Sequence, residues 1–132
     1  MIFDRELCFI HETKIQNLDE GVLGEPIDLG APDQLRGRQS YIAICCGDDT
    51  TATGDPTISF SLEFSDDDTF STPVSVPLSL PPVKKADMAK GKTIVARAPI
   101  YSRRYVRLKM DADTAITCAE ITAGFVLDAD AA

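Results

Sequence analysis

The stretch that most constrains this chain is 57–73, TISFSLEFSDDDTFSTP. Ile58, Phe60, Leu62 and Phe64 alternate with Thr57, Ser59, Ser61 and Glu63. A period of two places four large apolar side chains on one face of a strand and polar ones on the other. That pattern belongs to a half-buried strand of an antiparallel sheet. The three aspartates that follow end the strand in a polar turn, and a second strand begins after Pro73.

Strand signals of this kind recur along the chain. Short apolar runs lie at 7–10 and 27–29. The run 39–46, QSYIAICC, is apolar on both faces and predicts a central, covered strand. A polar loop is expected over 47–56. Val74, Val76, Leu78 and Leu80 alternate around Pro77, which cannot donate to a ladder, so this strand belongs at an edge or a bulge. Residues 83–91 read as a lysine-rich loop with one helical turn at most. Strands at 92–98 and 104–110 follow, and a last one within 116–127 buries Ile121, Ala123, Phe125 and Leu127.

Together these make about eight strand candidates separated by turn chemistry, which predicts an all-β antiparallel β-sandwich or jelly-roll-like fold. No amphipathic helix of useful length lies between them, which disfavours a doubly wound α/β fold. With 132 residues the chain suits one domain. Residues 11–26 are polar and irregular, and 1–26 read as a loop or an extended arm lying on another subunit. The tail DADAA is expected to fray.

Four cysteines occur, at Cys8, Cys45, Cys46 and Cys118, with no paired CxxC motif. Neighbouring strand residues point to opposite faces, which disfavours a bridge between Cys45 and Cys46. Buried free thiols formed in a reducing cytoplasm are expected. The first residues lack the pattern of a signal peptide, and no run approaches a membrane span, so a soluble chain with no membrane partner is expected. Net charge is −8 but uneven: 1–83 carry 4 basic and 15 acidic residues, 84–109 carry 9 and 1, and 110–132 carry 0 and 5. An acidic chain with one basic block is a poor nonspecific nucleic-acid binder, and no nucleic-acid partner is expected.

The residues that could carry chemistry are few. His11 is the lone histidine, and no nucleophile motif accompanies it. It reads as a surface or turn residue. Asp66, Asp67 and Asp68 lack the alternating ligands and glycine of a calcium loop and read as a solvated turn. The segment Gly21-Val22-Leu23-Gly24 lacks the lysine and hydroxyl of a phosphate loop. No catalytic, metal or cofactor site is expected, and the chain reads as a non-enzyme.

One surface feature stands out. Arg103, Tyr105, Arg107 and Lys109 share the polar face of the 104–110 strand. Arginine and tyrosine are enriched where proteins meet, so this stripe is a candidate interface for an acidic partner. Solvated edge protection is the other reading, and both stay open. On the interface reading, charge reversal at Arg107 leaves folding nearly intact.

Several segments, in order, resemble a known family. They are MIFDRELCF at the start, EPIDLGAP, a Gly-Arg loop before the apolar strand, FSLEFSDDDTFSTPVSV, RRYVRLKM and AEITAGFVLD. The set resembles the Bordetella-phage-type capsid cement (decoration) proteins of tailed bacteriophages across nearly the whole chain. The resemblance implies a jelly-roll-like sandwich that forms a dimer or trimer with itself. It also implies a virion location on the capsid exterior, where neighbouring major capsid subunits are clamped without a cofactor. The lysine-rich loop at 81–92 and residues 11–26 depart from the family pattern. Another virion β-protein, from the tail or the head–tail junction, and a glycan-binding β-sandwich are the alternative readings.

Overall fold

The computed structural model describes residues 7–30, 40–99 and 103–127. The Gly-Arg loop and the DADAA tail lie outside them. Seven strands form one antiparallel sheet: β1 (Cys8–Asp28), β2 (Ser40–Cys46), β3 (Thr50–Ala52), β4 (Ile58–Ser65), β5 (Val74–Pro77), β6 (Thr93–Arg97) and β7 (Tyr105–Leu127). A 3-10 turn, Lys85–Met88, is the helical turn allowed for in the lysine-rich loop.

The hub is β7, a strand of 23 residues. Along one edge it pairs with β1 over almost its whole length. Along the other it pairs in succession with β4, β3 and β2. Strand β5 adds to β4, and β6 adds to β2. The sheet therefore has two halves that share the β1–β7 ribbon. One half runs β5–β4–β7–β1 and the other β6–β2–β7–β1.

The burial phase of β7 shows where the halves meet. Val106, Leu108, Met110, Ala112, Ile116 and Cys118 are buried, and then the phase slips to Ile121, Ala123 and Phe125. Ala119 and Glu120, two residues where alternation allows one, are exposed, and the Glu120 carbonyl accepts from the Gly47 amide at 2.9 Å. An inserted residue of this kind bends a strand and lets one sheet curl. The curl closes around one core. Phe60, Leu62, Val106 and Leu108 of one half join Ile42, Ile44, Ile121 and Phe125 of the other in a single apolar cluster. Phe9 packs on Phe125 with ring centroids 5.4 Å apart.

The all-β class and the facing of the 57–65 strand are as the sequence predicts: Ile58, Phe60, Leu62 and Phe64 are all buried. Strand β2 lies between β7 and β6, as its two apolar faces require. Strand β5 ends at Pro77 and lies at an edge. Other boundaries differ. The apolar runs at 7–10 and 27–29 are the two ends of one 21-residue strand. The runs at 104–110 and 116–127 are parts of β7, and the expected loop at 47–56 contains β3.

The largest correction concerns residues 11–26, which were expected to be a loop or an arm on another subunit. They are strand, bonded to β7 of the same chain. Register shifts interrupt the pairing, and Glu12 and Asn17 take positive φ of 45° and 51°. At each of these two kinks a β7 threonine substitutes for the missing ladder partner. The Glu12 amide donates to Thr122 Oγ1 at 2.9 Å, and the Asn17 amide donates to Thr117 Oγ1 at 3.0 Å. Bulges destroy the period of two while keeping the backbone bonded. Gly24 completes the bend. Its φ is +73°, and a Cβ there would collide with the Phe9 carbonyl oxygen. Positive φ combined with backbone contact demands glycine.

Candidate docking surface

Strand alternation sets the candidate stripe on β7. Val106, Leu108 and Met110 fill the core, and Tyr105, Arg107 and Lys109 emerge on the opposite face, with Arg103 just ahead of the strand. The structure thus brings the predicted residues together. It also supplies each cation with a carboxylate from a neighbouring segment. Glu63 is the direct cross-strand partner of Arg107, and its Oε1 accepts from Arg107 Nε at 2.7 Å. Lys109 Nζ lies 3.3 Å from Glu20 Oε1 on β1. Arg103 Nε lies 3.7 Å from Asp66 Oδ1 in the aspartate turn. Arg104, outside the stripe, grips Asp28 with two bonds of 3.1 Å and sits over the Tyr105 ring. That grip, together with the Gly30 amide, holds the Asp28 carboxyl below its ordinary range.

Arg107 is the most deeply set of these groups. Its side chain is 25% exposed and that of Glu63 is 10% exposed. The guanidinium also stacks 4.2 Å from the centroid of Phe70, a buried residue held at φ 53° in the hairpin turn. Such a pair is part of the packing and presents little free charge to a partner.

The turn that carries Phe70 is built on Asp67. Its carboxylate accepts from Ser65 Oγ at 2.6 Å, Thr69 Oγ1 at 2.7 Å and Ser71 Oγ at 2.7 Å. These hydroxyls, Ser65 first, hold its pKa well below the ordinary carboxylate value. The turn reading of Asp66–Asp68 therefore has a definite geometry. Among the described residues no group of three or more His, Cys, Asp or Glu is placed to hold a metal ion.

His11 lies in β1, with Nε2 3.8 Å from Glu12 Oε2. None of the four cysteines is in a disulfide. Cys46 and Cys118 are buried side by side, and Cys8 and Cys45 are partly exposed. The hydrogen bond between Cys46 and Cys118, together with burial, pushes the Cys46 thiol up, so it stays protonated.

The cations with no carboxylate partner among the described residues lie elsewhere in the basic block. Lys84 Nζ donates to Thr57 Oγ1 at 2.8 Å, and Lys85 Nζ to the Ala52 carbonyl at 3.4 Å. Lys90, Lys92 and Arg97 are exposed, and among the described residues no carboxylate lies within 4 Å of their charged groups. The charge count of 84–109 signals this surface. Only strand register separates the neutralised cations from the others.

This geometry defines a class: an all-β protein made of one curled antiparallel sheet, with charged groups paired across strands. Within that class, the family model Bbp16 matches residues 21–127, and the chain belongs to the Bbp16 family, a family of Bordetella phage proteins. The match covers β1 from Gly21 onward and every later strand. No curated protein matches the chain.

Proposed function

We propose that this chain is a phage or prophage capsid cement protein. It binds the outside of the assembled head and bridges neighbouring major capsid subunits, acting as a homo-oligomer without enzymatic activity or cofactor. The observation that carries the reading is membership of a phage protein family across residues 21–127. The sheet architecture is compatible with it. A single continuous sheet whose surface charges are tied across strands is rigid, and a rigid body transmits load between the subunits it touches.

Heads lacking this protein test the reading. Purified protein should co-sediment with them and add regular density to the outer surface by electron microscopy. It should ignore unassembled capsid subunits. Absence of binding to heads refutes the cement role and moves the chain to another place in the virion.

A further inference from the structure

We propose that the outer edge of β6, with the groove beside it, docks an extended acidic strand of the protein's partner, so that the partner strand continues the sheet. The identity of that partner as a shell subunit rests on the cement reading. The surface itself rests on three observations.

The first is the state of the sheet edges. An open edge invites strand addition unless something blocks it. The outer edge of β1 is broken by register shifts and by positive φ at Glu12, Asn17 and Gly24. Strand β5 is four residues long and ends in Pro77. Strand β3 is three residues long, and Lys85 of the 3-10 turn bonds its Ala52 carbonyl. Strand β6 differs from all three. It pairs with β2 over five successive positions without a shift, from Tyr41↔Arg97 to Cys45↔Thr93. It contains no proline, and among the described residues no other strand pairs with it.

The second is shape. A groove of about 360 Å³ is lined by Thr93, Ile94 and Val95 of β6 and by Leu80, Pro81 and Pro82, with Lys92 and Asp87 as its charged members. The two prolines offer no amide donors, and their rings and the Leu80 side chain supply apolar surface on that wall. A strand entering the groove bonds β6 with its backbone and packs apolar side chains against Leu80, Pro81 and Pro82.

The third is charge. Lys90, Lys92 and Arg97 flank this edge with no carboxylate partner among the described residues, in a chain of net charge −8. Two carboxylates lie nearby, Asp87 in the groove lining, which accepts from the Lys84 amide at 3.0 Å, and Asp49, which accepts from the Lys90 amide at 2.8 Å; the three cations outnumber them. The complement of such an edge is an extended segment that alternates carboxylates with apolar residues.

The test uses isotope-labelled protein and a synthetic eight-residue peptide of alternating glutamate and valine. Amide shifts should map to 80–83 and 92–97. The triple variant Lys90→Glu, Lys92→Glu, Arg97→Glu should keep its fold by circular dichroism and bind the peptide at least about tenfold more weakly. Replacing the same three residues by glutamine should give an intermediate loss. Shifts that map to 103–109, equal binding by the triple variant, or preference for a short DNA duplex would each overturn the assignment. Undecorated heads separate the two proposals. If wild type and triple variant decorate them equally, this surface is refuted and the cement role stands. If neither decorates them while the peptide still docks on β6, the cement role is refuted and the surface stands.

Discussion

Removing Arg107 tests whether the cationic stripe is structure or interface. The guanidinium donates to Glu63 at 2.7 Å and covers Phe70 at 4.2 Å, while the Glu63 side chain is only 10% exposed. Breaking a fully buried pair by deleting one partner costs about 3–5 kcal/mol, because the other charge is left without compensation. Arg107 retains 25% of its side-chain exposure, so water screens part of that loss. We expect Arg107→Ala to cost about 2–3 kcal/mol, including the lost stacking on Phe70. Arg107→Glu should cost more, since it places two carboxylates in direct cross-strand register. The sequence-based expectation that charge reversal here leaves folding intact is thereby revised. Urea denaturation at constant m-value measures the loss. A cycle with Glu63→Ala should show coupling of about 1–2 kcal/mol, the double variant losing less than the sum of the singles. A loss below about 0.5 kcal/mol at Arg107 with an additive cycle would sink the structural assignment and return the stripe to the surface.

Other consequences are equally accessible. Phe60 is buried in the core cluster, and Phe60→Ala should cost about 3–5 kcal/mol by thermal or urea unfolding; a loss near zero would contradict the facing of β4. Gly24→Ala should cost at least about 2 kcal/mol, because it combines positive φ with a collision against the Phe9 carbonyl; unchanged stability would deny the close approach of the two sheet halves. Thr122→Val removes the acceptor for the Glu12 amide and should cost about 1 kcal/mol, with faster amide exchange at Glu12 as the local signature. The Asp67 carboxyl titrates lower in the folded protein than in the unfolded chain. Its contribution is present above the unfolded value near pH 4 and is lost as pH falls below it. Asp67→Asn should flatten the fall of stability with acidification in that window, and an identical acid slope would refute the role of the hydroxyl cradle.

What could be read from the chain alone was local. The alternation in 57–64 assigned the facing of β4 correctly, because residues two apart must share a face whatever the strand pairs with. The two-faced apolar run 39–46 marked an interior strand, and Pro77 marked an edge, each through its own chemistry. The aspartate turn was legible for the same reason: hydroxyls and amides within four residues satisfy Asp67. The Arg103–Lys109 stripe was visible as a pattern on one face. Its meaning was not, since Glu63 precedes Arg107 by 44 residues and only the β4–β7 register puts them side by side.

Tertiary structure alone decided the rest. Strand β1 looked irregular over 11–26 because its bulges break the periodicity, and the threonines that complete its bonding lie about a hundred residues away. The glycine at 24 became intelligible only when the bend brought Phe9 against it. The division of nine basic residues into those with a carboxylate partner and those with none among the described residues also came from long-range register. Side-chain alternation is a property of the covalent backbone and travels with the sequence. Partner choice among charges is set by which strands lie adjacent, and that follows from how one sheet curls around one core.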